Sequence, residues 1–365
     1  MNTKMDKKLN VGISHGDING ISYEVVIKTF AGQNNRMTEL CTPILYGSSK
    51  VLSYYKNVLD VKYLNTNIIE NAEDANPQQL NIINSTDGEI KVDLGQITTQ
   101  AGAATVSALD KAIEDQKDGK FDVLVTAPIN KENVKKCLPN FSGHTEYLQE
   151  KFDSDEVLMM MVHNDIRIAV ATTHIPLNKV SETITPELIE KKVKLFNKSL
   201  LEDFTIRKGR IAILGLNPHS GDNGAIGTED RDILSPTISK LKKEGYNVFG
   251  PFPADGFFGS NEYTKYDAIL AMYHDQGMIP FKILAQGGGV NFTAGLSIVR
   301  TSPAHGTAFS IAGTNKANEE SMREAIYLGL DIFRNREQHA EMTANPIKPQ
   351  EQEEQHSRKN NRFDN

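Results

Sequence analysis

His174, His219 and His274 are the residues of this chain best placed to do chemistry. Each follows an apolar run, at residues 168–173, 211–218 and 268–273, that is too short for a typical helix and well sized for a buried strand. In open α/β sheets the ligand crevice lies at the carboxyl ends of the strands. Three neutral imidazoles delivered there suit a catalytic divalent metal that keeps one position open, zinc first but other divalent ions as well. Read singly, each is more often a hydrogen-bonded structural histidine. Their matched strand-end positions set them apart, and their wide spacing leaves convergence to the fold.

Other polar residues cluster near these runs. Tyr273-His274-Asp275-Gln276-Gly277 puts imidazole, carboxylate and amide on one predicted strand-end turn, where Asp275 could orient a histidine. The same residues also make an ordinary turn in which the aspartate satisfies its own backbone. Residues 217–224 form a polar loop rich in turn dipeptides. Gly143-His144-Thr145-Glu146 offers an imidazole and a hydroxyl at a predicted helix start, where anions bind and where plain capping is just as economical. Lys282, Asn291 and Arg300 follow on successive predicted strands or loops and could clamp a phosphate. The glycines at residues 12–20 and 286–290 lack the G-x-G-x-x-G spacing between strand and helix, so the common dinucleotide fingerprint is absent. Residue chemistry alone fits a metal-dependent hydrolase or aldolase as readily as a dehydrogenase.

The elements that must hold these residues alternate between strand and helix, which predicts an α/β fold. Strands are expected at 9–14, 43–46, 121–127, 267–273 and 296–300, and helices at 22–30, 102–116, 186–204 and 318–334. The helix over 186–204 carries Ile189, Val193, Phe196 and Leu200 as one apolar stripe. Residues 61–96 are polar and weakly patterned. The tail, 346–365, has only Ile347 and Phe363 as large apolar groups and is expected to be disordered.

Composition narrows the class. The 365 residues are 39% hydrophobic and 24% charged with a net charge of −7, which disfavours nucleic-acid partners while allowing a local basic site. Two cysteines make no disulfide framework or cysteine zinc site. No apolar run approaches a membrane span, and the first residues lack the apolar core of a signal peptide, so a cytoplasmic protein without membrane contact is expected.

Several segments together resemble the 4-hydroxythreonine-4-phosphate dehydrogenase family of vitamin B6 synthesis. They are Ala127-Pro128-Ile129-Asn130-Lys131, Gly143-His144-Thr145-Glu146, Thr172-Thr173-His174-Ile175-Pro176-Leu177 and Gly215-Leu216-Asn217-Pro218-His219. Gly250-Pro251-Phe252-Pro253-Ala254-Asp255, Met272-Tyr273-His274-Asp275-Gln276-Gly277 and residues 300–308 complete the set, which spans about residues 9–335 in order. The resemblance implies a two-domain fold like the isocitrate and isopropylmalate dehydrogenases, with an interdomain cleft. On that reading residues 1–128 with 280–340 form one domain and 129–279 the other. It implies NAD or NADP, a divalent metal (zinc, magnesium or cobalt) on His174, His219 and His274, and substrate contacts from His144, Thr145, Lys282, Asn291 and Arg300. Asp255, Asp275 and His144 are candidates for the general base. It implies a phosphorylated hydroxy amino acid substrate, 4-phosphohydroxy-L-threonine, and a homodimer with shared active sites. Dehydrogenases acting on phosphothreonate or phosphoerythronate, or a non-redox metal enzyme on the same fold, are the alternatives. The chain departs from the family in its first loop, where Ile18 and Tyr23 replace two prolines and Ser22 a glycine.

Overall fold

The structure, a computed structural model, describes residues 8–33, 36–86 and 88–345. The predicted tail lies outside the described residues. The apolar runs become strands: β1 Leu9–Ser14, β2 Cys41–Gly47, β3 Thr66–Ile69, β4 Leu80–Asn84, β5 Val123–Thr126 and β6 Leu158–His163. They continue with β7 Ile166–Val170, β8 Ile211–Leu214, β9 Val248–Phe252, β10 Ala268–Ala271, β11 Val290–Ala294 and β12 Val299–Pro303. All join one sheet in the order β3-β4-β2-β1-β5-β12-β11-β6-β7-β10-β8-β9.

Strand direction divides this sheet. β3, β4, β2, β1, β5 and β12 are parallel to one another, as are β7, β10, β8 and β9. Between them β12, β11, β6 and β7 pair antiparallel in turn, so the two parallel blocks run in opposite directions. The inner strands of both blocks are buried nearly throughout because helices cover both faces, hence their unbroken apolar runs, while the edge strands β3 and β9 are only partly buried.

The helix Ser22–Phe30 keeps the predicted bounds, and Pro186–Glu202 buries Ile189, Val193, Phe196 and Leu200 as predicted. Thr185 caps the latter helix, its Oγ1 accepting from Leu188 N at 3.2 Å, with Pro186 in the first turn where no N–H is needed. Four expectations shift. The last predicted strand begins at Val299, not 296, and the closing helix runs Glu320–Thr343. Residues 61–96 hold β3 and β4, whose short runs carry too little periodicity to read. His274 opens a helix, His274–Ala285, so Lys282 stands on a helix and not on a strand or loop.

The divergent first loop is stiffened by side chains. Tyr23 stacks on Tyr55 at 5.6 Å and its hydroxyl accepts from Ser48 N at 2.8 Å. Ser22 Oγ donates to Pro128 O at 2.7 Å, and Asn19 Nδ2 donates to Gln96 O at 2.9 Å. Ile21 N donates to Thr307 O at 3.0 Å, tying this loop to the one after β12.

His15, at the start of that loop, is 1% exposed, with Nε2 3.1 Å from Ala104 O and Nδ1 buried without a partner. Burial pulls its pKa from 6.5 to about 4. The unfolded chain therefore takes up a proton that the folded state refuses, and stability falls as pH drops from 6.5 towards 4. His15→Gln is expected to lose less stability than the parent over that window, by up to about 3 kcal/mol. Urea unfolding at both ends of the window measures the difference; equal losses in the two proteins would disprove it.

Candidate active site

A cavity of about 240 Å³ lies across the sheet face where strand direction reverses. Alternation along the central strands supplies its floor: Arg300 and Ser302 from β12, Asn291 from β11, Met159 and Met161 from β6. The ends of the two parallel blocks supply the walls. Residues 126–129 follow β5 on one side, and His174 and His274 follow β7 and β10 on the other. His144, Thr145 and Glu146, in the first turn of the helix His144–Lys151, close it. On the helix His274–Ala285 the four-residue spacing turns His274, Met278 and Lys282 to the cavity.

Arg300 dominates the electrostatics. It is 2% exposed, and its hydrogen bonds go only to hydroxyls: Nε and Nη2 to Thr126 Oγ1 at 3.1 and 2.6 Å, Nη1 to Thr293 Oγ1 at 2.9 Å. Among the described residues no carboxylate lies within ion-pair distance of it. Burial pulls its pKa down to about 10, which leaves it charged at neutral pH. The Glu146 carboxylate in the same cavity offsets this in part without forming an ion pair, so the buried cation stays costly, and an arriving anion removes that cost. Lys131 and Lys282 line the same cavity and make no ion pair among the described residues. Three polar atoms here are buried without a partner: His144 Nε2, Asn291 Oδ1 and His305 Nε2. Burial, then Arg300 and Lys131, hold His144 well below its ordinary pKa, so it is a neutral imidazole.

The histidines divide. The His174 and His274 rings face each other with centroids 5.8 Å apart. His274 Nδ1 lies 2.7 Å from Asp275 Oδ1, which leaves Nε2 towards other ligands. Burial, with Lys131, pulls the His174 pKa down. His219 is exposed, on a loop after β8 where His219, Ser220, Asp222 and Asn223 all take positive φ, between 42° and 55°. Buried Asp230 holds that loop, accepting from Leu216 N, Asn217 N and Asn217 Nδ2 at 2.8–3.0 Å. His219 does not line the cavity, and among the described residues no three His, Cys, Asp or Glu side chains converge as a metal-ligand group.

Every expected substrate contact lines the cavity: His144, Thr145, Lys282, Asn291 and Arg300. Neither aspartate proposed as base does. Asp255 is exposed on the short helix Ala254–Gly259, and Asp275 is 72% exposed beyond His274. Three lining residues were given no role from sequence: Lys131, Glu146 and His305, whose Nε2 is also buried without a partner. All three stand inside the recognised motifs, so their signal was proximity to residues already singled out.

Fold and cavity describe an α/β protein with a cation-lined cavity beside paired imidazoles. Known proteins sharpen that class. The family model described as pyridoxal phosphate biosynthetic protein PdxA matches residues 39–329. A 4-hydroxythreonine-4-phosphate dehydrogenase of Bacteroides thetaiotaomicron is 48% identical over 346 residues, 94% of each chain. A protein of Oceanobacillus iheyensis, named provisionally as a D-threonate 4-phosphate dehydrogenase, is 36% identical over 90% of this chain and 99% of its own. The crystal structure of 4-hydroxythreonine-4-phosphate dehydrogenase from Klebsiella pneumoniae superposes with a TM-score of 0.77 at 30% identity, covering 91% of this chain and 99% of that one. The chain belongs to the PdxA family, and its fold is the α/β dehydrogenase fold that the motifs imply. Among the described residues no helix is long and apolar enough to cross a membrane.

Proposed function

We propose that this enzyme oxidises 4-phosphohydroxy-L-threonine at C3 with NAD or NADP. The β-keto acid so formed then loses CO2 to give 3-amino-2-oxopropyl phosphate. The observation that carries the reading is the Arg300 guanidinium, buried without an ion-pair partner on the floor of a cavity sized for a small metabolite. Arg300, with Lys282, holds phosphate or carboxylate; Thr145 and Asn291 fix orientation by hydrogen bonding. His144, neutral and with a free Nε2, is placed to take or share a substrate proton.

The donor set suits a divalent metal. His174 and His274 present facing imidazoles, and a carboxylate holds Nδ1 of His274 as second partners of metal-bound histidines do. We assign His174, His219 and His274 as its ligands. Bound there, zinc, magnesium or cobalt would lower the C3 hydroxyl pKa and stabilise developing negative charge. The nicotinamide would supply the hydride acceptor. Strand order supports reading residues 1–128 with 280–340 as one domain and 129–279 as the other, since β6 to β10 all lie within the second span and occupy one end of the sheet.

A homodimer completes the site on this reading. Exposed apolar side chains follow each histidine: Ile175 and Leu177, Ile226, and Ile279 with Ile283, the last two 57% and 68% exposed. Such patches mark interaction surfaces. Ile279→Lys with Ile283→Lys is expected to give a folded monomer with turnover lowered at least about 100-fold, since orientation at a shared site is lost. Light scattering and kinetics check it; a fully active monomer would sink the shared-site reading.

Substrate-dependent appearance of reduced nicotinamide absorbance, across a panel of phosphorylated hydroxy acids with each metal, tests the function. Metal-loaded protein inert with every one would defeat the dehydrogenase. The Oceanobacillus relative supports a second reading, D-threonate 4-phosphate as substrate, and the same panel separates the two.

A further inference from the structure

We infer that Glu146 is a positioning residue that holds Nδ1 of His174 and so turns His174 Nε2 towards the metal; this rests on the metal reading above. Glu146 is the only carboxylate that lines the cavity among the described residues, where the other formal charges are Lys131, Lys282 and Arg300. Its Oε1 lies 4.0 Å from His174 Nδ1. The ring opposite has a closer carboxylate on the same nitrogen, Asp275 Oδ1 at 2.7 Å from His274 Nδ1. Each of the two imidazoles therefore has a carboxylate on its Nδ1 side, within hydrogen-bond distance at His274 and 4.0 Å away at His174.

Helix capping does not explain Glu146. It is the third residue of the helix His144–Lys151, where a glutamate ordinarily reaches back to the cap N–H. Here it makes no side-chain hydrogen bond among the described residues. The carboxylate instead folds over Gly143, where a Cβ would meet its Oε2 at 2.8 Å and Lys131 Nζ at 3.4 Å. Glycine at 143 thus leaves the carboxylate its place. The 4.0 Å separation is longer than a hydrogen bond. His174 and Glu146 are 51% and 42% exposed, so both side chains are free to close the gap when Nε2 is drawn to a ligand.

The test uses the full-length protein and zinc as probe, with two readouts. The first is the His174 tautomer in the metal-free state, from long-range proton–nitrogen correlations of ¹⁵N-histidine protein, assigned by difference from His174→Ala. The second is the zinc dissociation constant by chelator competition. Glu146→Ala is expected to lose the Nδ1–H preference and weaken zinc about 10–100-fold. Glu146→Gln, which keeps an acceptor oxygen, should retain the tautomer and most of the affinity. Gly143→Ala, which crowds the carboxylate, should shift both readouts in the direction of Glu146→Ala. Parent-like tautomer and affinity in Glu146→Ala, with zinc lost in His174→Ala, would overturn the proposal. So would a loss in Glu146→Gln equal to that in Glu146→Ala, which would make charge and not orientation the role. If His174→Ala itself binds zinc normally, the metal reading fails, and the tautomer still decides what Glu146 does.

Discussion

Arg300→Met should leave the melting temperature of the ligand-free protein unchanged or higher while kcat/KM for a phosphorylated substrate falls about a thousandfold. The two effects share one cause. The guanidinium is 2% exposed and has only the hydroxyls of Thr126 and Thr293 as partners. Keeping an unpaired ion from water costs several kcal/mol, so an apolar side chain of similar volume relieves the free protein. The substrate anion loses its buried partner, and truncating such a pair costs about 2–5 kcal/mol, roughly 30- to 5,000-fold. Arg300→Lys keeps charge without the fork and should fall between. Thermal melts without substrate, paired with steady-state kinetics, give both numbers. A large drop in melting temperature with substrate affinity intact would make Arg300 a structural residue.

His174→Ala, His219→Ala and His274→Ala should each lower metal-dependent turnover by about a thousandfold or more, because a three-ligand site loses most of its affinity with one ligand gone. None should unfold the protein. His174 and His274 are 51% and 40% exposed, and His219 stands on an exposed loop, so little core is lost. Elemental metal stoichiometry and thermal melts distinguish this from misfolding. Full metal occupancy with normal turnover in all three would leave them structural. In a dimer with shared sites, mixing His174→Ala with His219→Ala chains should restore some activity if those two ligands come from different subunits. Verified exchange without rescue would place them on one chain.

What could be read from the chain follows the physics of each element. The helix Pro186–Glu202 announces itself through a capping threonine, a first-turn proline and an unbroken apolar stripe, because it buries one face only. The helix His274–Ala285 was missed for the converse reason. Gly277 and Pro280 read as breakers, and Ile279 and Ile283 face outward, so its apolar pattern does not mark one buried face. That helix is what brings Lys282 to the cavity. For the site, residue types were legible and convergence was not. His144, Asn291 and Arg300 meet only because β12 lies beside β5, and β11 beside β12, across a long stretch of chain, which no local pattern records. Asp255 and Asp275 carry the right chemistry, yet both lie exposed outside the cavity, while Glu146, to which the sequence assigns no role, lines it.

The order of strands in the sheet has a consequence for how the protein is made. β5 ends at Thr126, but its outer neighbour β12 begins at Val299. During synthesis the amino-terminal strands can assemble up to β5 and no further, leaving that edge bare until the last part of the chain emerges. An unpaired apolar edge is a template for wrong partners. A nascent chain stalled between β5 and β12 is therefore the species most in need of chaperone protection. By the same logic a product ending before residue 299 loses the strand that links the two blocks, and aggregates instead of persisting as half an enzyme.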